Sequence, residues 1–293
     1  MENYKEFEAL IRLLDDPDEG IFEHIQNKLV SYGNSVIPAL ETVWEHSYDQ
    51  LLQTRIESII HMIQFQKVAE DLRIWAKNGG TNLWEGATIL ARYQFPDLDL
   101  TKLNKQFELL RQDIWLELNE QLTALEKTKI INHILFEVHH FGPAMNQLPD
   151  PSANFINLVI ENKSGSPIAL SMLYACLAQS LSIPIYGVQL PEHFVIAYRD
   201  ENSFLGEPET SDEYKLFFYI NPYSRGAVFS RKEIDAFLNQ LGKEPKQEYY
   251  QTCSNVKFVQ AVIRQIGQLY KSQKNHNKAS ELESLFTMLD LPN

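Results

Sequence analysis

The sequence predicts an α+β protein in which a buried helix lies against an antiparallel sheet, with a large all-α region before it. Three observations predict this class. Along the first 140 residues apolar side chains recur every three to four positions, the period of amphipathic helices. The stretch Ile168–Leu181 is apolar almost all round, so it must be central and buried. Beyond Ser182-Ile183-Pro184 the apolar period drops to two, as half-buried strands require.

The elements follow in order. Phe7, Leu10, Ile11 and Leu14 share a face, and Asp15-Asp16-Pro17-Asp18 stops that helix and opens the next. Ile21, Phe22, Ile25 and Leu29 repeat the pattern up to Tyr32-Gly33-Asn34. Val36, Ile37, Leu40, Val43 and Trp44 form a third helix, with Pro38 in its first turn, where a missing N–H costs little. Leu52–Ile63, Leu72–Trp75, Trp84–Tyr93, Leu103–Leu118 and Leu125–His140 read as separate further helices. Short helices with aspartate and proline at the turns are similar to HEAT-like hairpins, although no strict period repeats. After the turn cluster Gln147–Ser152, a short helix is expected over Phe155–Glu161. Ser166 followed by Pro167 is an N-cap and first-turn pair, so the buried helix starts there. Ser171, a turn inside, is expected to bond back to the carbonyl four residues earlier. Strands follow over Ile185–Leu190, His193–Tyr198 and Lys215–Ile220, with one more starting near Val228 and Phe229. The connection 200–213 carries six acids and no base and reads as a solvated hairpin loop. Val256, Val259, Ile263, Ile266 and Tyr270, then Leu282, Leu285, Phe286 and Leu289, make a closing pair of helices that resembles one tetratricopeptide-type hairpin. The expected divisions are residues 1–120 (helical), 121–235 (helix and sheet) and 236–293 (helical hairpin).

Composition narrows the function. The chain has 293 residues, 44% of them apolar, and a formal net charge of −13. Residues 1–150 hold 24 acids against 13 bases, whereas residues 231–293 hold 7 against 9. An acidic surface repels phosphate backbones and anionic headgroups, so neither nucleic acid nor membrane is an expected partner. The opening residues Met1–Glu6 carry no signal-peptide pattern, and no apolar run is long enough to span a bilayer, so a soluble, cytoplasmic protein is expected. Two cysteines, Cys176 and Cys253, do not make a disulfide framework. Phosphate-binding and dinucleotide fingerprints are absent, and no cofactor is expected. His133, Glu137 and His140 fall on one helical face beside His139, but Ile130, Ile131, Ile134 and Val138 are expected to occupy the opposite one. The polar residues therefore read as the solvated side of a helix, and no metal site is expected.

The order of a buried helix, a strand headed by His193 and a strand ending at Asn221-Pro222 invites a chemical reading. Cysteine proteases and transglutaminases hold a thiolate at the N-terminus of a central helix, where the dipole lowers its pKa and backbone N–H groups can hold an oxyanion. A histidine on one strand serves as base and an Asp or Asn on the next orients it. Phe155-Ile156-Asn157-Leu158-Val159-Ile160, then Lys163-Ser164-Gly165-Ser166-Pro167-Ile168-Ala169-Leu170-Ser171, then Leu190-Pro191-Glu192-His193-Phe194, and finally Ile220-Asn221-Pro222-Tyr223 with Gly226, resemble in that order the SirB family of transglutaminase-like proteins. The resemblance covers about residues 125–230 and implies a transglutaminase-like, papain-like core with tetratricopeptide-like C-terminal helices. The same core occurs in some eukaryotic F-box proteins.

The resemblance also implies where a nucleophile would stand. Related active enzymes carry cysteine at the helix start, about 16 residues before the Ile-Pro that follows the helix, and here Pro167 occupies that position. Asn221 stands where family members often have aspartate. Pro167, His193 and Asn221 are thus the positions of a degenerate catalytic site. Gly165, Ser166, Pro167, Glu192, His193 and Asn221 are the candidates for a binding groove. His193 reads either as a retained base or as a structural ring between strand and helix. Ser166 reads as a helix cap before it reads as a nucleophile. Cys176 lies about 13 Å along the helix axis from Pro167 and reads as a core thiol. The expected function is a non-catalytic module that binds a protein or peptide partner. The alternative is a hydrolase or acyltransferase using Ser166 or a water as nucleophile, with His193 as base.

Overall fold

The computed structural model describes residues 7–144 (except 8, 12 and 17), 150–204 and 214–290. The chain forms two compact units, residues 1–71 and 72–293. A boundary is expected at residue 120, and α4 (Leu83–Gln94) and α5 (Leu100–Glu117), which precede it, pack against the central helix.

In the first unit α1 (Glu19–Ser31) is opened by Asp18, whose carboxylate accepts from the Gly20 and Ile21 N–H groups. With α2 (Ile37–His46) and the first part of α3 (Gln50–Lys77), it closes on a cluster that includes Phe7, Leu14, Leu29, Leu40, Ile56 and Ile59. Arg55 is buried there, its guanidinium donating to the Leu14 and Asp16 carbonyls at 2.8 and 2.7 Å and to Glu19 at 2.8 Å. The expected break between Leu52–Ile63 and Leu72–Trp75 does not occur. Helix α3 runs unbroken for 28 residues because nothing between Gln50 and Lys77 is glycine or proline, and Asn78-Gly79-Gly80 ends it. The division between the two units falls inside this helix.

In the second unit Asn82 and Asp99 cap α4 and α5, and Thr123 with Glu126 forms a capping box for α6 (Ala124–Asn132). Helix α6 continues into a π-turn over His133–Val138. The extra residue shifts the helical register, so Leu135 and Phe136 point inward while Val138, expected on the apolar face, is 48% exposed. The short helix α7 (Ile156–Asn162) leads to α8 (Pro167–Ser180), in which every residue from Ile168 to Ala178 is buried. Helices α4, α5 and α7 pack against α8, as do the first two strands of the sheet.

The sheet is an antiparallel meander in the order β1 (Ile185–Leu190), β2 (His193–Phe204), β3 (Tyr214–Asn221) and β4 (Ala227–Phe229). Strands β2 and β3 outrun their expected ends, and their register is irregular after Tyr198. Residues 200–204, expected in a loop, belong to β2; the remainder of that expected loop, 205–213, lies outside the described residues. Both faces of the sheet are covered. Val188, Val195, Ala197 and Tyr219 cluster with Ile234 and Leu238 of α9 (Arg231–Gln240), while Ile185, Ile196 and Ile220 are fully buried on the opposite side. Helix α9 was not anticipated, although Ser230 and Glu233 form a capping box at its start. Helices α10 (Asn255–Ser272) and α11 (His276–Leu289) pack as a hairpin, and α10 also lies on α4. Tyr93 donates to Glu281, and Tyr270 donates to Gln94, each at 2.8 Å, tying that hairpin to α4. Among the described residues no helix is long and apolar enough to cross a membrane.

Candidate functional site

The start of α8 is built by the turn before it. Ser166 is extended, and its Oγ accepts the Ala169 N–H at 3.3 Å while donating its own proton to Asn154 Oδ1 at 2.6 Å. Asn154 is buried and fixed in turn, its Nδ2 donating to the Pro151 carbonyl at 3.2 Å. Pro167 occupies the first helical position and has no N–H, and the Ala169 N–H is taken by Ser166. Of the first-turn amides this leaves that of Ile168. Gly165 sits in a two-residue parallel ladder with Pro143, and a Cβ on it would approach Val159 to 3.0 Å.

A cavity of about 480 Å³ opens at this helix start. Ser166 and Pro167 line it from α8, Gln189, Glu192 and His193 from the β1–β2 turn, and Arg264, Gln265 and Gln268 from α10. Four of the six groove candidates (Ser166, Pro167, Glu192 and His193) therefore meet at one cavity. Gly165 and Asn221 do not line it. Glu192 holds a left-handed backbone, φ 62°, at the second corner of the turn, after Pro191.

His193 begins β2 opposite Leu190 and shares a side of the strand with Val195 and Ala197. That side faces α9, where the imidazole meets the Phe237 ring edge-on at 5.1 Å and 70°. Among the described residues its ring makes no side-chain hydrogen bond. Asn221 spends its amide on its own turn: Oδ1 accepts the Tyr223 N–H at 3.1 Å and Nδ2 donates to Ser224 Oγ at 3.2 Å. The three groups of an acyl-transfer relay thus have separate partners. Ser171 does not bond back along the helix as expected; its Oγ is buried without a hydrogen-bond partner.

Neither thiol stands at the cavity. Cys176 is buried inside α8, where loss of solvent raises its pKa far above the ordinary thiol range. Burial pushes the Cys253 thiol up to about 12. On the π-turn, Glu137 is paired with Arg225 at 2.7 Å and His139 with Asp113 at 2.8 Å, and the described residues hold no cluster of three or more His, Cys, Asp or Glu suited to a metal ion. Sequence reasoning missed the α10 wall. Ala261, Arg264, Gln265 and Gln268 recur at helical spacing on the exposed side of an amphipathic helix, and spacing alone does not separate a cavity wall from a solvated face. Arg264 is steadied by its stack on Phe286 of α11, 4.5 Å from the ring centre.

A largely buried helix whose capped start opens beside an antiparallel meander is the arrangement expected of a transglutaminase-like protein. Residues 101–264, more than half of the chain, match the Transglutaminase-like superfamily, and the chain belongs to it. A UPF0162 protein of Xylella fastidiosa (strain 9a5c) is 27% identical over 169 residues, which cover 54% of this chain and 58% of that protein. The UPF0162 protein of the Temecula1 strain is 29% identical over 119 residues, 39% of this chain and 41% of that protein. F-box only protein 21 of Mus musculus is 24% identical over 110 residues, covering 38% of this chain and 17% of the mouse protein. The chain thus spans less than two thirds of the length of these curated relatives. No solved structure matches it.

Proposed function

We propose that this chain is a SirB-type member of the superfamily that lacks the catalytic cysteine and binds a protein or peptide without turning it over. The observation that carries the reading is Pro167 at the first position of α8, where related active enzymes carry a cysteine. The states of the other groups support it: Ser166 is spent on Asn154 and its own helix, and His193 rests against Phe237. The cavity between α8, the β1–β2 turn and α10 is the binding groove of this reading, with Glu192 and Arg264 offering one charge of each sign. The mouse F-box only protein 21 matches over a minor part of its length, which is consistent with a module that serves inside larger assemblies. The HEAT-like and tetratricopeptide-like character of the flanking helices belongs to the same proposal, since both kinds of array serve as contact surfaces.

The test pans a displayed random-peptide library against the purified chain, then measures selected peptides by anisotropy on wild type and on Arg264→Glu. Selected peptides should bind wild type and lose about tenfold or more on Arg264→Glu, because a groove cation has been inverted. In parallel the chain is incubated with ester and amide substrates and with serine- and cysteine-directed probes. Hydrolysis or transamidation that disappears in His193→Ala would overturn the reading and restore the hydrolase.

A further inference from the structure

The α8 cavity borders an edge of the sheet, since β1 has a neighbouring strand on one side only. The register fixes which of its main-chain groups face outward. The Arg199 N–H donates to the Pro184 carbonyl at 2.8 Å, and pairing then runs without a shift from Ile185 opposite Tyr198 to Leu190 opposite His193. Bonds toward β2 therefore recur at the even positions, and Ile185, Gly187 and Gln189 turn their N–H and C=O groups away from it. This chain already uses the first two. The Ile185 carbonyl accepts Gln179 Nε2 at 3.0 Å, and the Gly187 carbonyl accepts the Cys253 N–H at 2.7 Å. Ser254 then caps α10, and the chain leaves the edge. Gln189 is the next position in the row. It is exposed and lines the cavity, and among the described residues its N–H and C=O have no partner.

We infer that the partner enters this cavity as an extended peptide that adds to the open end of β1 and exchanges main-chain hydrogen bonds with Gln189. The inference rests on the peptide-binding reading of the cavity and names the form of the peptide. Unpaired main-chain groups at a sheet edge are a template for a further strand, and here the Cys253 N–H has begun that pairing from within the chain. A helix spends its own N–H groups internally, so a helical partner would leave Gln189 unserved. The cavity, about 480 Å³, has the size of a small-ligand site and holds a short segment only. One edge residue is open, so one peptide residue is paired and its two neighbours turn their amides away. Gln189 shares a sheet face with Ile185, which is buried toward α8, and with Gly187, where a Cβ would meet Phe258 of α10 at 2.9 Å. The side chain of the paired residue therefore points between α8 and α10, toward the wall that carries Arg264.

Peptides selected on the full chain from the displayed library are resynthesised with one N-methylated amide at a time and measured by anisotropy. One position should lose about tenfold or more, because its donor is gone, while the positions on either side lose about threefold at most. Amide exchange followed by NMR reads the protein side. In the free chain the Gln189 amide should exchange at least about tenfold faster than the laddered amides of Val188 and Leu190, and bound peptide should slow it. Gln189→Pro deletes the outward N–H at a place where a sheet edge tolerates proline. It should bind the peptide about tenfold more weakly than Gln189→Ala, which keeps both main-chain groups. If Gln189→Pro fails to fold, amide exchange and the N-methyl series decide. A library that yields no binder overturns the peptide reading and this inference together. Binders that weaken on Arg264→Glu, yet show no sensitive N-methyl position and no protection of Gln189, overturn the strand pairing alone. Equal affinity of folded Gln189→Pro and Gln189→Ala would do the same.

Discussion

Gly226 turns the chain between β3 and β4 with φ at 73°, and a Cβ there would fall 1.9 Å from Asn132 Oδ1. Asn132 donates to the Gly226 carbonyl at 2.8 Å and accepts from the Tyr174 hydroxyl at 3.0 Å, so one side chain joins the end of α6, the middle of α8 and the turn after the sheet's third strand. Gly226→Ala must force a left-handed alanine and push Asn132 off both bonds. The expected cost is about 2–4 kcal/mol, read by denaturant unfolding. Adding Asn132→Ala should cost less than the two single losses combined, because the second change relieves the clash made by the first. A different residue-scale prediction concerns the thiols. The raised Cys253 pKa means that the folded state keeps the proton which the unfolded state gives up above about pH 8.5. Its contribution to stability is therefore whole below that pH and is lost as pH climbs toward 12. Native chain treated with iodoacetamide at pH 8 should leave the buried Cys176 unmodified, and the half-buried Cys253 labelled only slowly, on a timescale that labels both in urea, as followed by mass spectrometry. Rapid native labelling of Cys176 or Cys253 would contradict the burial argument.

At the scale of elements, α8 is what the sequence displayed best and α9 what it hid. An apolar run opened by Ser-Pro has few alternatives, so the buried helix, its cap and its central position were all legible. The strands were legible by period, but their ends were not, because pairing carries β2 and β3 past the apolar alternation. Helix α9 is short, polar on most of its circumference and rooted in Ser230…Glu233, a signal that a search by apolar period passes over. That omission mattered at the site. Without α9, His193 reads as a base on a strand beside the helix start; with it, the ring has Phe237 to rest on. The cavity residues from the α8 start and the β1–β2 turn were legible, whereas those from α10 come from the far end of the sequence and meet them only through packing. Restoring the thiol separates the pieces. Pro167→Cys puts a sulfur at a helix N-terminus, where its pKa should fall and its alkylation at pH 7 should outpace that of a free cysteine by about tenfold. Amide and ester turnover should stay at background, since the imidazole lies against α9 and Asn221 is spent on Ser224. Turnover in Pro167→Cys that vanishes on adding His193→Ala would mean that the relay survives intact apart from its nucleophile.

For the whole molecule, charge is the property that selects partners. The formal net charge of −13 is concentrated at the beginning of the chain, where residues 1–150 carry 24 acids and 13 bases, while residues 231–293 carry 7 and 9. Within the second compact unit, the α8 cavity is walled in part by Arg264 of the basic end. The field that a distant ligand meets is nevertheless set by the sum, and at low salt it reaches about 30 Å at 0.01 M ionic strength against about 8 Å at 0.15 M. Duplex DNA, with one negative charge per roughly 1.7 Å of axis, should be repelled as a whole. Anisotropy of a labelled 30-base-pair duplex should therefore stay flat at low salt up to about 10 µM protein, where non-specific DNA binders already begin to associate. The same field should make the association of a basic groove peptide faster as salt is lowered and that of an acidic one slower, with dissociation little changed. Stopped-flow mixing of one peptide of each sign across that salt range reads both slopes. Reversed slopes would mean that the local positive charge of the α10 wall, and not the acidic N-terminal half, governs encounter, and equal slopes or DNA binding at low salt would remove the electrostatic argument altogether.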